Sequence, residues 1–146
     1  MHEPIPPDLE LTAYTCPFDR AILRGTCTCT RAQSYHIAER HGVGCTGEGA
    51  QARCLDFEHL LVERARFALK LRGTRVTAAQ ALRIQHGGLL GLQNILRPEA
   101  DARFVFDVHG LLDQAIHDFQ QLDQLPFADI VKTIAEWDPR PTRKKS

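Results

Sequence analysis

Every thiol in this 146-residue chain lies between Cys16 and Cys54: Cys16, Cys27, Cys29, Cys45 and Cys54, and nothing after Cys54 carries one. The spacing is C-x10-C-x-C-x15-C-x8-C. Thiols confined to one stretch are placed for metal or for chemistry rather than for general packing. Residues 1–15 lack the basic and apolar regions of an export signal, and no run of about 18 apolar residues could span a bilayer. The expectation is therefore a cytoplasmic chain with reduced thiols, where a cysteine set favours metal or catalysis over a disulfide framework. The odd count of five agrees, since not all can pair within one chain.

Thiolates are the ligating form, and helix starts favour them through unpaired N–H groups and a partial positive charge. Cys16 precedes Pro17, Cys29 precedes Thr30, Cys45 lies among glycines, and Cys54 falls near the start of a long apolar pattern. Structural zinc sites bring ligands in close pairs such as C-x2–4-C, and ferredoxins use C-x2-C-x2-C-x3-C or C-x4-C-x2-C runs. Neither template fits. Wide spacing on a helical scaffold suits an iron–sulfur cluster held between helix ends and loops, with zinc as the alternative. The first choice of ligands is Cys16, Cys29, Cys45 and Cys54, with Cys27 able to replace or join Cys29, so all five are candidate cofactor-binding residues.

Other chemistry-bearing residues give weaker signals. Gly42-Val43-Gly44-Cys45-Thr46-Gly47 spells G-x-G-x-x-G, but a dinucleotide site needs it inside a βαβ unit, and the pattern here follows an expected helix. Of seven histidines, His86 alone sits on an apolar stripe, beside Gly87, Gly88 and Gly91. It reads as a buried, hydrogen-bonded histidine where glycines admit another helix. His59, His109 and His117 read as surface residues. Asp107, Asp113, Asp118 and Asp123 read as a solvated helix face. No Ser-His-Asp, H-E-x-x-H or paired-carboxylate motif and no phosphate loop is present, while a Cys–His nucleophile stays open because its partners need not be near in sequence.

The elements that must hold the cysteines read as helices. Pro17 to Arg24 opens on proline and closes at Gly25. Thr30-x-x-Gln33 fits a capping box, with a helix running to Gly42. Residues 50–71 place Leu60, Leu61, Ala65, Ala68 and Leu71 on one face. Thr77-x-x-Gln80 caps a helix running to about Leu96, and residues 101–123 are strongly amphipathic from Phe104 to Leu122. Pro126 restarts a last short helix.

The fold class expected is all-α, a small helical domain of about five or six helices with an N-terminal cysteine-bearing, glycine-containing segment. It divides into one domain over 1–138, with residues 14–54 as the cysteine segment and 55–138 as scaffold, and a basic disordered tail at 139–146. Formal net charge is zero, which argues against nucleic-acid or membrane partners. The expected function is iron–sulfur cluster binding for electron transfer, or for assembly or maturation of a redox enzyme, with a redox protein or enzyme as partner and no catalytic residue of its own. The glycine stretch 42–49 is the expected docking surface. The alternatives are a zinc-stabilised helical adaptor and a thiol oxidoreductase using Cys27 and Cys29.

Overall fold

A computed structural model describes residues 15–37, 40–73, 76–101 and 103–138. The expectations for the proline-rich leader and for the tail at 139–146 fall outside these residues. The order of elements is α1 (Asp19–Leu23), β1 (Ala32–Ile37), β2 (Arg40–Cys45), α2 (Glu48–Ala65), α3 (Ala78–Leu96), α4 (Val108–Phe119), a 3-10 turn (Leu122–Gln124) and α5 (Phe127–Glu136). The chain is thus mostly helical, and the all-α expectation needs correcting. Residues expected as a second helix form an antiparallel hairpin instead, paired from Ala32 with Cys45 to Ile37 with Arg40.

The reason lies in where Thr30 sends its hydrogen bonds. Its N–H and hydroxyl both donate to Asp107 Oδ1, at 2.9 and 3.2 Å, so Thr30 does not cap a helix. Strand formers then punctuate the pair: Tyr35 and Ile37 in β1, Val43 in β2. Tyr35 pairs with Gly42, and its ring occupies the space a Cβ on Gly42 would need. The hairpin therefore uses that glycine for close aromatic cover rather than for a loop. Gly42, Val43, Gly44 and Cys45 are all buried, so the stretch from 42 to 45 is not the open docking loop expected. The G-x-G-x-x-G string does sit on a strand, contrary to expectation, but in an antiparallel hairpin rather than a βαβ unit.

Helix α3 is the central element. Thr77 and Gln80 form the expected capping box, with Thr77 Oγ1 accepting from the Gln80 N–H at 3.1 Å and Gln80 Oε1 from the Thr77 N–H at 3.0 Å. Its glycines admit α5: a Cβ on Gly87 or Gly91 would stand 3.0 Å from the Cα of Ile134 or Ile130. Its buried polar side chains hold neighbouring backbone. Gln85 Oε1 accepts from the Ala21 N–H at 3.1 Å, and Gln93 Nε2 donates to the carbonyls of Asp101 and Phe104 at 2.7 and 2.9 Å. His86 takes the packing role expected. The Trp137 indole N–H can only donate, so His86 Nδ1 accepts it at 2.8 Å and Nε2–H donates to the Arg103 carbonyl at 3.1 Å.

The amphipathic stretch 101–123 is α-helical only over Val108–Phe119, and its end lies in the 3-10 turn. Its first residues are claimed by the cysteine segment: Val105 N–H donates to the Thr26 carbonyl, and the Thr28 and Val108 N–H groups donate to the Val105 and Thr28 carbonyls. One apolar cluster joins all parts, from Cys16, Phe18 and Val43 through Phe57 and Leu61 to Leu111, Ile130 and Ile134. No helix among the described residues is long and apolar enough to cross a membrane.

Candidate metal centre

Four chain segments bring the cysteines together. Cys16 N–H donates to the Val43 carbonyl at 2.9 Å, and Thr15 bridges to Gly44, so Cys16 runs beside the end of β2 that carries Cys45. Cys29 leads into the turn before β1: its carbonyl accepts from the Ala32 N–H, and Ala32 is the strand partner of Cys45. Cys54 lies on α2, one turn beyond Gln51, whose Nε2 donates to the Thr15 carbonyl at 3.2 Å. That bond ties the face of α2 bearing Cys54 to the residue before Cys16.

The sulfurs meet backbone donors. The Phe18 N–H is directed at the Cys16 sulfur. Cys29 Sγ accepts from the Arg31 N–H at 3.4 Å and is also approached by the His109 N–H in the first turn of α4. Cys29 thus gains a helix start, though not the one the sequence suggested. The Cys45 S–H donates to the Gly47 carbonyl at 3.3 Å.

Electrostatics sort the five thiols. Burial pushes Cys16 up to about 12, with the charges of Cys29 and Cys45 adding to it against the Phe18 N–H. Burial also raises Cys29, opposed by its two N–H donors and helped by Asp107 and Cys45. Cys54 is raised by burial, then by Cys16, Cys29 and Cys45, and is lowered by Arg53. Every pair among Cys16, Cys29, Cys45 and Cys54 is therefore within electrostatic reach. Cys27, raised by burial to about 12, feels only Cys16 and Cys29. It is fully buried, and its backbone bridges to Val105. Cys27 shares the apolar core with Cys16 and Cys54.

Cys16, Cys45 and Cys54 are buried and Cys29 is half-buried, and burial is the chief cause that raises Cys16, Cys29 and Cys54. Among the described residues, however, no three His, Cys, Asp or Glu side chains stand close enough to hold a metal ion.

Residues around the thiols include several whose part the sequence did not reveal. Arg53, beside Cys54, directs Nη1 to Asp113 and Nη2 to His109 Nδ1 at 2.8 Å and to the His109 carbonyl at 3.3 Å. Asp113 Oδ2 lies 3.5 Å from His109 Nε2, and the hydrogen bond from Arg53 holds the Asp113 carboxyl below its usual range. This network fixes the helix turn whose N–H faces Cys29. Arg53 Nε is buried without a hydrogen-bond partner. Asp107, expected on a solvated face, tethers Thr30, whereas Asp118 and Asp123 are exposed as expected. Only the charge of Arg53 beside a cysteine could have hinted at this from sequence, because His109 and Asp113 meet the site through long-range packing. No family model matches the chain, and the searches of curated proteins and of solved structures found no match.

Proposed function

We propose that Cys16, Cys29, Cys45 and Cys54 ligate an iron–sulfur cluster, and that the protein serves electron transfer or the assembly or maturation of a redox enzyme. The observation that carries this reading is the convergence of these four thiols from four segments, each pair within electrostatic reach. Backbone N–H groups aimed at Cys16 and Cys29 support it, because such donors stabilise cluster-bound sulfur.

Cys29 is the least buried thiol, and the neighbouring Phe106 is 66% exposed. A redox partner would approach there rather than over the buried glycines of β2. The thiol oxidoreductase reading loses support because burial holds Cys27 protonated. The test is anaerobic purification followed by an absorption spectrum and assays for iron, acid-labile sulfide and zinc. Brown protein with iron and sulfide in stoichiometric amounts is expected. Colourless protein with one zinc per chain would replace this reading with the zinc adaptor, and protein that binds neither after reconstitution would overturn both.

A further inference from the structure

His86 is the buried imidazole of α3, and both of its ring nitrogens are committed. The Trp137 indole N–H can only donate, so its 2.8 Å bond to His86 Nδ1 exists only while Nδ1 is unprotonated. The Arg103 carbonyl holds Nε2–H at 3.1 Å, so a single neutral tautomer suits both partners. The two rings meet edge-on, with centroids 5.6 Å apart and planes at 83°. Trp137 thus turns its N–H edge, the positive rim of an aromatic ring, toward the imidazole. A second proton on the imidazole enters at Nδ1, where it sets two N–H groups face to face.

Which partner yields is decided by what is tied down. His86 lies within α3, whereas Trp137 is the first residue beyond α5 and has an extended backbone. The end of α5 is fastened independently of the indole. Arg83 Nε donates to the Ile134 carbonyl at 2.9 Å and Nη2 donates to the Ala135 carbonyl. The Trp137 backbone N–H also donates to the Ile134 carbonyl, at 3.2 Å. The half-buried indole ring is therefore the part that can turn while the helix end stays in place. Among the charges nearby, Arg24 of α1 acts against a positive imidazole and the Arg103 carbonyl acts for one. Arg83 lies on the same helix as His86, and Glu136 and Asp138 flank Trp137 in sequence.

We propose that His86 and Trp137 form an acid-sensitive clasp, in which a second proton on the imidazole displaces the indole ring while α5 stays fastened. Trp137 walls a cavity of about 630 Å³ together with Leu23 and Leu82, so the displaced ring uncovers that apolar surface. The clasp is closed at neutral pH. Burial holds the imidazole below its ordinary 6.5, with the Arg103 carbonyl opposing and Arg24 assisting, so opening comes below that pH. The clasp is independent of whatever the cysteines hold.

Trp137 is the only tryptophan in the chain, so its indole fluorescence and its single indole N–H resonance both report on the clasp. The full chain should be titrated from neutral pH down through the imidazole range, following the indole, the His86 ring resonances and far-UV circular dichroism together. The indole and the His86 ring should move with one midpoint below 6.5, with helix content unchanged. In Trp137→Phe no donor opposes the second proton, so the His86 midpoint should rise by about half to one pH unit. His86→Gln keeps a donor and an acceptor but does not titrate, and should hold the indole signal flat. An indole that stays put while His86 titrates would overturn the proposal, as would a transition that persists in His86→Gln. So would helix content lost in the same step, which is global unfolding, or a His86 midpoint that does not rise in Trp137→Phe. That last variant decides the matter alone if His86→Gln does not fold.

Discussion

Replacing Cys27 and Cys54 by alanine, one at a time, should separate two properties that a cysteine set normally confounds. Cys27 is fully buried, with its backbone bridged to Val105, and of the other thiols it feels Cys16 and Cys29 but not Cys45 or Cys54. Cys27→Ala removes one buried sulfur. Truncations of larger side chains to alanine cost ~2–5 kcal/mol, so losing a single atom with partial collapse should cost about 1–2 kcal/mol. Cofactor content should be unchanged. Cys54 is 5% exposed, so Cys54→Ala should cost the metal-free protein a similar amount, yet it should also strip the cofactor. The assay is urea unfolding of metal-free protein, paired with iron, sulfide and zinc analysis of the loaded protein. Cys27→Ala with an empty site, alongside Cys54→Ala with a full one, would refute the assignment of ligands.

Two further outcomes test the scaffold. Burial lowers the His86 imidazole below its ordinary value of 6.5, and Arg24 adds to that effect, against the hydrogen bond to the Arg103 carbonyl. The unfolded chain then binds the proton more readily than the folded one. Stability should be full above pH 6.5 and fall as pH drops toward the lower folded value, and the slope in pH-dependent urea unfolding should flatten in His86→Gln. The second outcome concerns Gly91 and Gly49. A Cβ on Gly91 would lie 3.0 Å from Ile130 Cα and 3.2 Å from its carbonyl oxygen, backbone that yields only by moving α5. Overpacking of ~1–3 kcal/mol should outweigh the ~1 kcal/mol helix preference for alanine, so Gly91→Ala should lower the melting temperature. Gly49→Ala, with nothing within 4 Å, should leave it unchanged or raise it.

Helix α3 was legible in the sequence because its signals are local. The Thr77–Gln80 box lies within one turn, and Gly87 and Gly91 announced the close approach that α5 makes, while Gly88 makes room for Leu61 of α2. The start of α5 at Pro126 was equally local. The hairpin was not legible, because Thr30 and Gln33 match a capping box in spacing alone. What decides against that box is Asp107, which captures both donors of Thr30 from 77 residues away. The same distance hid the early part of the 101–123 pattern, where backbone pairing with Thr26 and Thr28 overrides helical periodicity.

Those long-range bonds also bear on how the cysteine segment relates to the helices after it. Cys16, Phe18, Ala21, Cys27 and Val43 share one core cluster with the helices after residue 54. Phe18 and Val43 are fully buried, and Phe18 packs on Phe57 with ring centroids 6.0 Å apart, while Phe57 meets Phe127 at 6.5 Å. At the opposite side, the start of α4 holds Thr30 through Asp107 and faces Cys29 through the His109 N–H. Arg53 fastens that turn to α2 one residue before Cys54. A change in charge at the four thiols is therefore felt directly by α2 and α4. Cys16 and Cys54 thus lie in the helical core, beside the hairpin that carries Cys45.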